Sequence, residues 1–301
     1  MREKILLCFG YGFSARALHA ALKRRGSWRV IGTQRSPRPQ PDMDILAFAG
    51  TASPALQHLV ESADAILLSI PPDEAGDPAL RAFQPAFAGR AQGWIGYLST
   101  TGVYGDRGGG WVDERSARQP MSEPARRRVL AEDQALALPR PACIFRLPGI
   151  YGPGRSALDK AREPGQISWI KPGQVFSRIH VADLADALAL SIPASAPASV
   201  YNVCDDGPCA PELVQRFAAA LLGLPAPREE IFDASRLGPQ ALRFWAESKR
   251  VSNARIKAQL GWRPRFPSYQ EGLSSIASCD SGEIGNGQGI GIARLDPPAF
   301  G

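Results

Sequence analysis

Lys4-Ile-Leu-Leu-Cys-Phe-Gly10-Tyr-Gly12-Phe-Ser-Ala15 passes from an apolar run through two glycines into a helical pattern, the opening of an α/β fold. Lys4–Phe9 is a continuous apolar run that predicts a buried strand, and a glycine ends it. Phe13–Arg25 then places Ala17, Leu18, Ala21 and Leu22 at helical spacing, with Gly26 beyond its end. Strand, turn and helix in this order give the G-x-G-x-x-A pattern the context that its mechanism requires. Gly10 allows a tight turn, Gly12 lets a diphosphate approach the backbone, and Ala15 keeps the helix close to the sheet. Phe13 and Ser14 open the helix, whose unpaired N–H groups and partial positive charge attract an anion. An ordinary strand–helix turn that carries two glycines is the plainer alternative.

Trp28–Thr33, Ile45–Ala49, Asp64–Ile70, Trp94–Ser99 and Ala142–Leu147 read as further strands, with a helix over Pro124–Leu138. Short apolar runs alternating with helical patterns signal βαβ units, and wholly apolar strands are those covered by helices on both faces. The fold class is therefore α/β: a doubly wound parallel sheet, or Rossmann fold, over residues 1–150. Gly152-Pro153-Gly154 starts a loop-rich stretch. Val181–Ile192 reads as a helix and Val200–Cys204 as a strand, so 177–205 is expected to return to the first domain. The helical patterns Pro211–Leu222 and Ser252–Leu260 fall outside the alternation. Residues 151–176 and 206–273 are thus expected to form a smaller substrate-binding lobe. From Ser274 the composition turns to glycine, serine and isolated isoleucine, which predicts a flexible tail over 274–301.

With 301 residues and 44% hydrophobic content, the chain can bury a full core without disulfides. No run of some 18 apolar residues is present, which argues against a membrane span. Met-Arg-Glu-Lys leads straight into the first strand without the longer apolar region of a signal peptide, so a cytoplasmic location is expected. Lys and Arg exceed Asp and Glu by 35 to 29. No nucleic-acid motif with interleaved aromatics accompanies that excess, which suits anionic small molecules better than nucleic acid. Cys8, Cys143, Cys204, Cys209 and Cys279 have no metal-ligand spacing, so no metal is expected and a reducing compartment is.

At the end of the second strand, Gly32-Thr33-Gln34-Arg35-Ser36 holds no carboxylate before Asp42. An NAD-specific site usually places an acid there for the ribose hydroxyls, whereas Arg35 can bind a 2′-phosphate. NADP is the favoured coenzyme and NAD stays open; a solvated loop arginine is the alternative reading of Arg35. Leu98-Ser99-Thr100-Thr101-Gly102-Val103-Tyr104-Gly105 leaves the fifth strand at the edge where such sheets bind ligands. Its hydroxyls suit substrate binding, and a Ser/Thr-rich turn is the plainer alternative.

With these segments in order, the sequence resembles the extended short-chain dehydrogenase/reductase superfamily, the group of NAD-dependent epimerases and dehydratases. The glycine turn, Ser99–Gly105, Arg146-Leu-Pro-Gly-Ile-Tyr-Gly-Pro-Gly154 and Arg178-Ile-His-Val-Ala-Asp183 carry the resemblance. It implies hydride transfer at a carbon–oxygen centre, with Thr100 as the hydroxyl that bonds the substrate oxygen. It implies that Pro148, Gly149 and Ile150 pass the nicotinamide, and that Ser69 and Ile70, with Ser99, line the coenzyme. Arg155, Arg178 and His180 fall where such enzymes meet an anionic substrate, commonly a nucleotide-sugar, and pairing as a homodimer is implied as well. Asp183 reads as a helix cap.

The family's Tyr-x-x-x-Lys pair is missing. Aligned through Glu132, Pro124 stands at the tyrosine position and Arg128 at the lysine position. An arginine supplies positive charge but exchanges no proton near neutral pH. Tyr104 is the substitute proton donor expected from its place four residues beyond Thr100, with Arg128 as the accompanying cation; an aromatic that packs the turn is the alternative. The reading is an NADP-binding, epimerase/dehydratase-like oxidoreductase. The alternative is a non-catalytic NADP(H)-binding or redox-sensing protein.

Overall fold

The alternation within the first strand settles the layering. Leu6 and Cys8 face one side, Leu7 and Phe9 face the other, and all four are completely buried. A strand buried on both faces needs helices on both. The computed structural model describes residues 2–37, 43–90, 92–193 and 200–280, and Asp42 therefore lies outside the described residues.

In chain order the first part comprises β1 (Lys4–Phe9), α1 (Phe13–Lys23), β2 (Trp28–Gln34), β3 (Asp44–Ala47), α2 (Pro54–Ser62) and β4 (Ala65–Leu68). It continues with α3 (Pro78–Ala82), α4 (Gln84–Ala88), β5 (Trp94–Thr100), β6 (Trp111–Val112), α5 (Glu123–Leu136) and β7 (Cys143–Leu147). The rest comprises β8 (Gly149–Tyr151), α6 (Ala157–Ala161), β9 (Ile167–Ile170), β10 (Arg178–His180), α7 (Val181–Ser191) and β11 (Val200–Asn202). It ends with α8 (Pro211–Leu221), β12 (Arg228–Ile231), α9 (Pro239–Trp245), β13 (Arg250–Val251), α10 (Ala254–Leu260) and α11 (Tyr269–Asp280).

A seven-stranded sheet runs β3-β2-β1-β4-β5-β7-β11, and every neighbouring pair is parallel. It is a doubly wound, Rossmann-type sheet whose strand order reverses between β1 and β4. Leu18 and Leu22 of α1, with Leu184 and Leu188 of α7, cover one face. Leu56 and Val60 of α2, Leu80 of α3, Phe87 of α4 and Ala131 of α5 cover the other. The helices start where the sequence supplies caps. Ser53 accepts from Leu56 N, Asp77 from Ala79 N and Leu80 N, and Ser122 from Ala125 N, each with a proline in the first turn behind it.

Three short parallel pairs, β8 with β10, β9 with β12 and β6 with β13, lie outside the sheet. Tyr151, Leu158, Val214, Ala218, Leu273 and Ile276 make a second, smaller core among α6, α8 and α11. That packing corrects one expectation: residues 274–280 are helical, because Leu273 and Ile276 bury one face of α11. The remainder of the expected tail, 281–301, lies outside the described residues. Among the described residues, no helix is long and apolar enough to cross a membrane.

Candidate active site

The glycine turn sits at the carboxyl ends of β1 and β4. Gly10 has φ +90°, and a Cβ there would lie 2.9 Å from Ile70 Cγ2 and 3.0 Å from Ser69 Oγ. Only glycine fits both demands. Ser69 Oγ lies 2.9 Å from Phe9 O and 2.7 Å from Gly10 O, which ends β4 and ties it to the turn. Gly10 N donates to Thr33 Oγ1 at 3.0 Å and Tyr11 N to Thr33 O at 2.9 Å, so β2 braces the turn from the other side.

Gly12 is the N-cap of α1, and no side chain caps that helix. A Cβ on Gly12 would meet nothing within 4 Å. The first-turn N–H groups of Phe13 and Ser14 therefore open onto free space, and the residues present fit the diphosphate of a dinucleotide. Arg35 is exposed one residue beyond the end of β2.

Further along the same edge, a cavity of about 420 Å³ is lined by Pro71, Pro72, Thr100, Gly102, Ser122, Pro124, Ala125, Arg127 and Arg128. Thr100 Oγ1 accepts from Gly102 N at 3.1 Å, which fixes the side chain at the strand's end. Arg128 Nη1 donates to Leu98 O at 2.7 Å and to Tyr97 OH at 3.0 Å, and its guanidinium lies over the Tyr97 ring. Arg127 pairs with Glu74 and Glu123. Thr100, Pro124 and Arg128 thus share one cavity. Its side chains supply hydroxyls and guanidinium charge; none of them exchanges a proton near neutrality as a tyrosine–lysine pair would.

Tyr104 is not in this cavity, which corrects the expected proton donor. It is completely buried, its hydroxyl donates to Asn202 Oδ1 at 2.8 Å, and it accepts from Arg146 Nη1 at 3.0 Å. Burial pushes its pKa up, against the pull of Arg146. The turn's aromatic faces inward because two buried polar partners await it there. Ser99 is corrected for the same reason, since its buried hydroxyl donates to Glu132 Oε1 at 2.5 Å and cannot serve a coenzyme. Glu132 and Arg146 had no assigned role beyond alignment, yet they form the centre of this network. An arginine inside the apolar strand Cys143–Leu147 was the available signal, because a buried guanidinium demands a buried acid.

The three residues expected on the substrate side do not line the Thr100 cavity. His180 caps α7, with Nδ1 accepting from Ala182 N at 3.2 Å, and its ring is boxed by Tyr151 and Phe266. Burial lowers its pKa to about 4, so it is neutral and unsuited to an anion. Arg178 Nη1 lies 3.0 Å from Phe176 O and 3.2 Å from Cys209 Sγ, within the smaller lobe. Arg155 lies over the ring of Phe13 in the glycine turn. Asp183 is structural, but it holds the Arg265 and Phe266 N–H groups rather than capping α7. Gly149 is exposed, while Ile150 and Phe13 both pack against the cluster of Ala17, Ala21, Val181 and Ala185, which draws β8 toward α1.

No family model matches the chain. A conserved protein of unknown function from Silicibacter pomeroyi shares 44% identity and superposes with a TM-score of 0.83, covering 91% of this chain and 98% of that one. A Methylobacillus flagellatus structure assigned to the NAD-dependent epimerases/dehydratases shares 26% identity over 93% of this chain and 99% of its own, with a TM-score of 0.71. The 3-diazoavenalumate denitrifying reductase of a Streptomyces species is 28% identical over 75% of this chain and 72% of that protein.

Proposed function

We propose that the chain, which shares the fold of a structure assigned to the NAD-dependent epimerases/dehydratases, is an NADP-dependent oxidoreductase of the extended short-chain dehydrogenase/reductase superfamily acting at a carbon–oxygen centre of a small anionic substrate. The observation that carries this reading is the meeting of Thr100 and Arg128 in one cavity on the sheet edge that bears the glycine turn. When bound, the dinucleotide supplies or accepts the hydride. The N–H groups of Gly12, Phe13 and Ser14 would hold its diphosphate, Ile70 would line the adenosine side, and Pro148–Ile150 would pass the nicotinamide. Arg35, exposed at the end of β2, would bind a 2′-phosphate.

The chain's own chemistry is positioning. Thr100 Oγ1 already accepts from Gly102 N, which leaves its hydrogen to donate to a substrate oxygen. Arg128 is held by Leu98 O and Tyr97 OH, so its charge is fixed where negative charge develops on that oxygen. The proton comes from water through the Thr100 hydroxyl, since the arginine retains its own. The Streptomyces relative is a reductase by name, which supports net reduction as the direction.

A second reading, a non-catalytic NADP(H) sensor, is favoured by Pro124 and Arg128 in place of the family's acid–base pair. Incubation of the protein and NADPH with aldehydes, ketones and sugar nucleotides separates the two. Oxidation of NADPH by the wild type, lost in Thr100→Val at unchanged NADPH affinity, supports the enzyme. Tight binding with no oxidation across the panel overturns it in favour of the sensor.

A further inference from the structure

The chain segment that enters the smaller lobe folds back onto the mouth of α1. Gly152 and Arg155 close a turn through reciprocal backbone bonds of 3.1 and 3.0 Å. A Cβ on Gly152 would lie 2.6 Å from Val181 Cγ1 and 3.1 Å from Phe13 Cζ, so the turn rests directly on the two helices. Arg155 leaves this turn into solvent, with its guanidinium carbon 5.7 Å from the centre of the Phe13 ring. Phe13 is the first residue of α1 and follows Gly12, whose missing side chain leaves the space beside it empty. Among the described residues, no carboxylate pairs with Arg155, whereas Arg25, Arg29, Arg81 and Arg216 each engage one.

We propose that Arg155 binds the coenzyme, not the substrate: its guanidinium closes over the glycine turn and donates to the diphosphate. The anion is then held between the N-terminus of α1 on one side and a fixed cation on the other. Arginine suits this place better than lysine. Its planar face stacks on Phe13 while its edge presents paired N–H donors to phosphate oxygens. Because the turn also belongs to the connection into the smaller lobe, coenzyme retention depends on how that lobe is seated. The inference rests on the dinucleotide reading of the glycine turn and adds a residue that reading does not require.

Calorimetric titration of the full chain with NADP⁺ and with NAD⁺ tests it. Arg155→Gln is expected to weaken both dinucleotides alike, on the order of tenfold, as loss of a charge-assisted bond does. Arg155→Lys should recover part of the loss, and Phe13→Leu, which removes the ring beneath the guanidinium, should show part of it. Unchanged affinity in Arg155→Gln, or a loss confined to NADP⁺, overturns the proposal while leaving the coenzyme reading intact. Failure of the wild type to bind either dinucleotide overturns the coenzyme reading itself, and this proposal with it.

Discussion

Glu132 of α5 and Arg146 of β7 meet through two parallel hydrogen bonds, Nε to Oε1 at 3.0 Å and Nη2 to Oε2 at 2.7 Å, in the interior behind the crevice. No more than 5% of either side chain reaches solvent. Ser99 and Arg118 add to Glu132, and Tyr104 links Arg146 to Asn202. The network therefore fastens α5, which carries Arg128, to the strands that carry Thr100 and the Pro148–Ile150 segment.

Glu132→Gln leaves the Arg146 charge buried without its counter-ion. Unfolding by denaturant should show a loss of about 3 kcal/mol or more. A loss below about 1 kcal/mol would mean that the pair does not hold the fold.

Tyr104→Phe removes a hydroxyl that satisfies Asn202 and Arg146. Stability should fall by about 1–3 kcal/mol, with coenzyme affinity and turnover unchanged in the folded protein. Lost turnover at unchanged stability would instead show that this hydroxyl reaches substrate.

These two residues mark the limit of what was legible in advance. The sheet was readable from Lys4–Phe9 and its successors, because strands buried on both faces must be apolar throughout. The glycine turn was readable because G-x-G-x-x-A falls between an apolar strand and a helical pattern. Thr100, Pro124 and Arg128 were singled out by the family resemblance, which aligned one strand and one helix, and they line one cavity. Tyr104 and Ser99 were misplaced, because spacing does not tell which way a side chain leaves a turn. Partners distant in sequence, Asn202 and Glu132, decided that. His180 was read as a ligand because its cap on α7 and its aromatic box, Tyr151 and Phe266, come from separate segments.

His180 also makes stability depend on pH. Its folded pKa, about 4, lies below its ordinary value, so the unfolded chain binds its proton first as pH falls. The contribution is present above about 6.5 and is lost between there and about 4. The buried Asp205, raised to about 7 by burial, works in the opposite direction, so the comparison needs a variant. His180→Asn can keep the cap and cannot titrate. Between pH 7.5 and 5, the wild type should lose roughly 2 kcal/mol more stability than this variant. Parallel losses would place His180 in contact with water.

Arg35→Ala should weaken NADPH on the order of tenfold or more and leave NADH unchanged, because a single cation meets a phosphate that only one coenzyme carries. Titration of both reduced forms reads this directly. Equal effects on the two would remove the basis for choosing NADP.

Titration of NADPH into wild-type and Gly12→Val protein reads the diphosphate site itself. At φ −100° the backbone of residue 12 accepts any side chain, and a Cβ there meets nothing within 4 Å beyond its chain neighbours, so the variant is expected to fold, which circular dichroism checks. The side chain would occupy only the space assigned to the diphosphate. The predicted result is saturable binding by the wild type and none by a normally folded Gly12→Val. Equal binding by the two, or binding by neither, would contradict it.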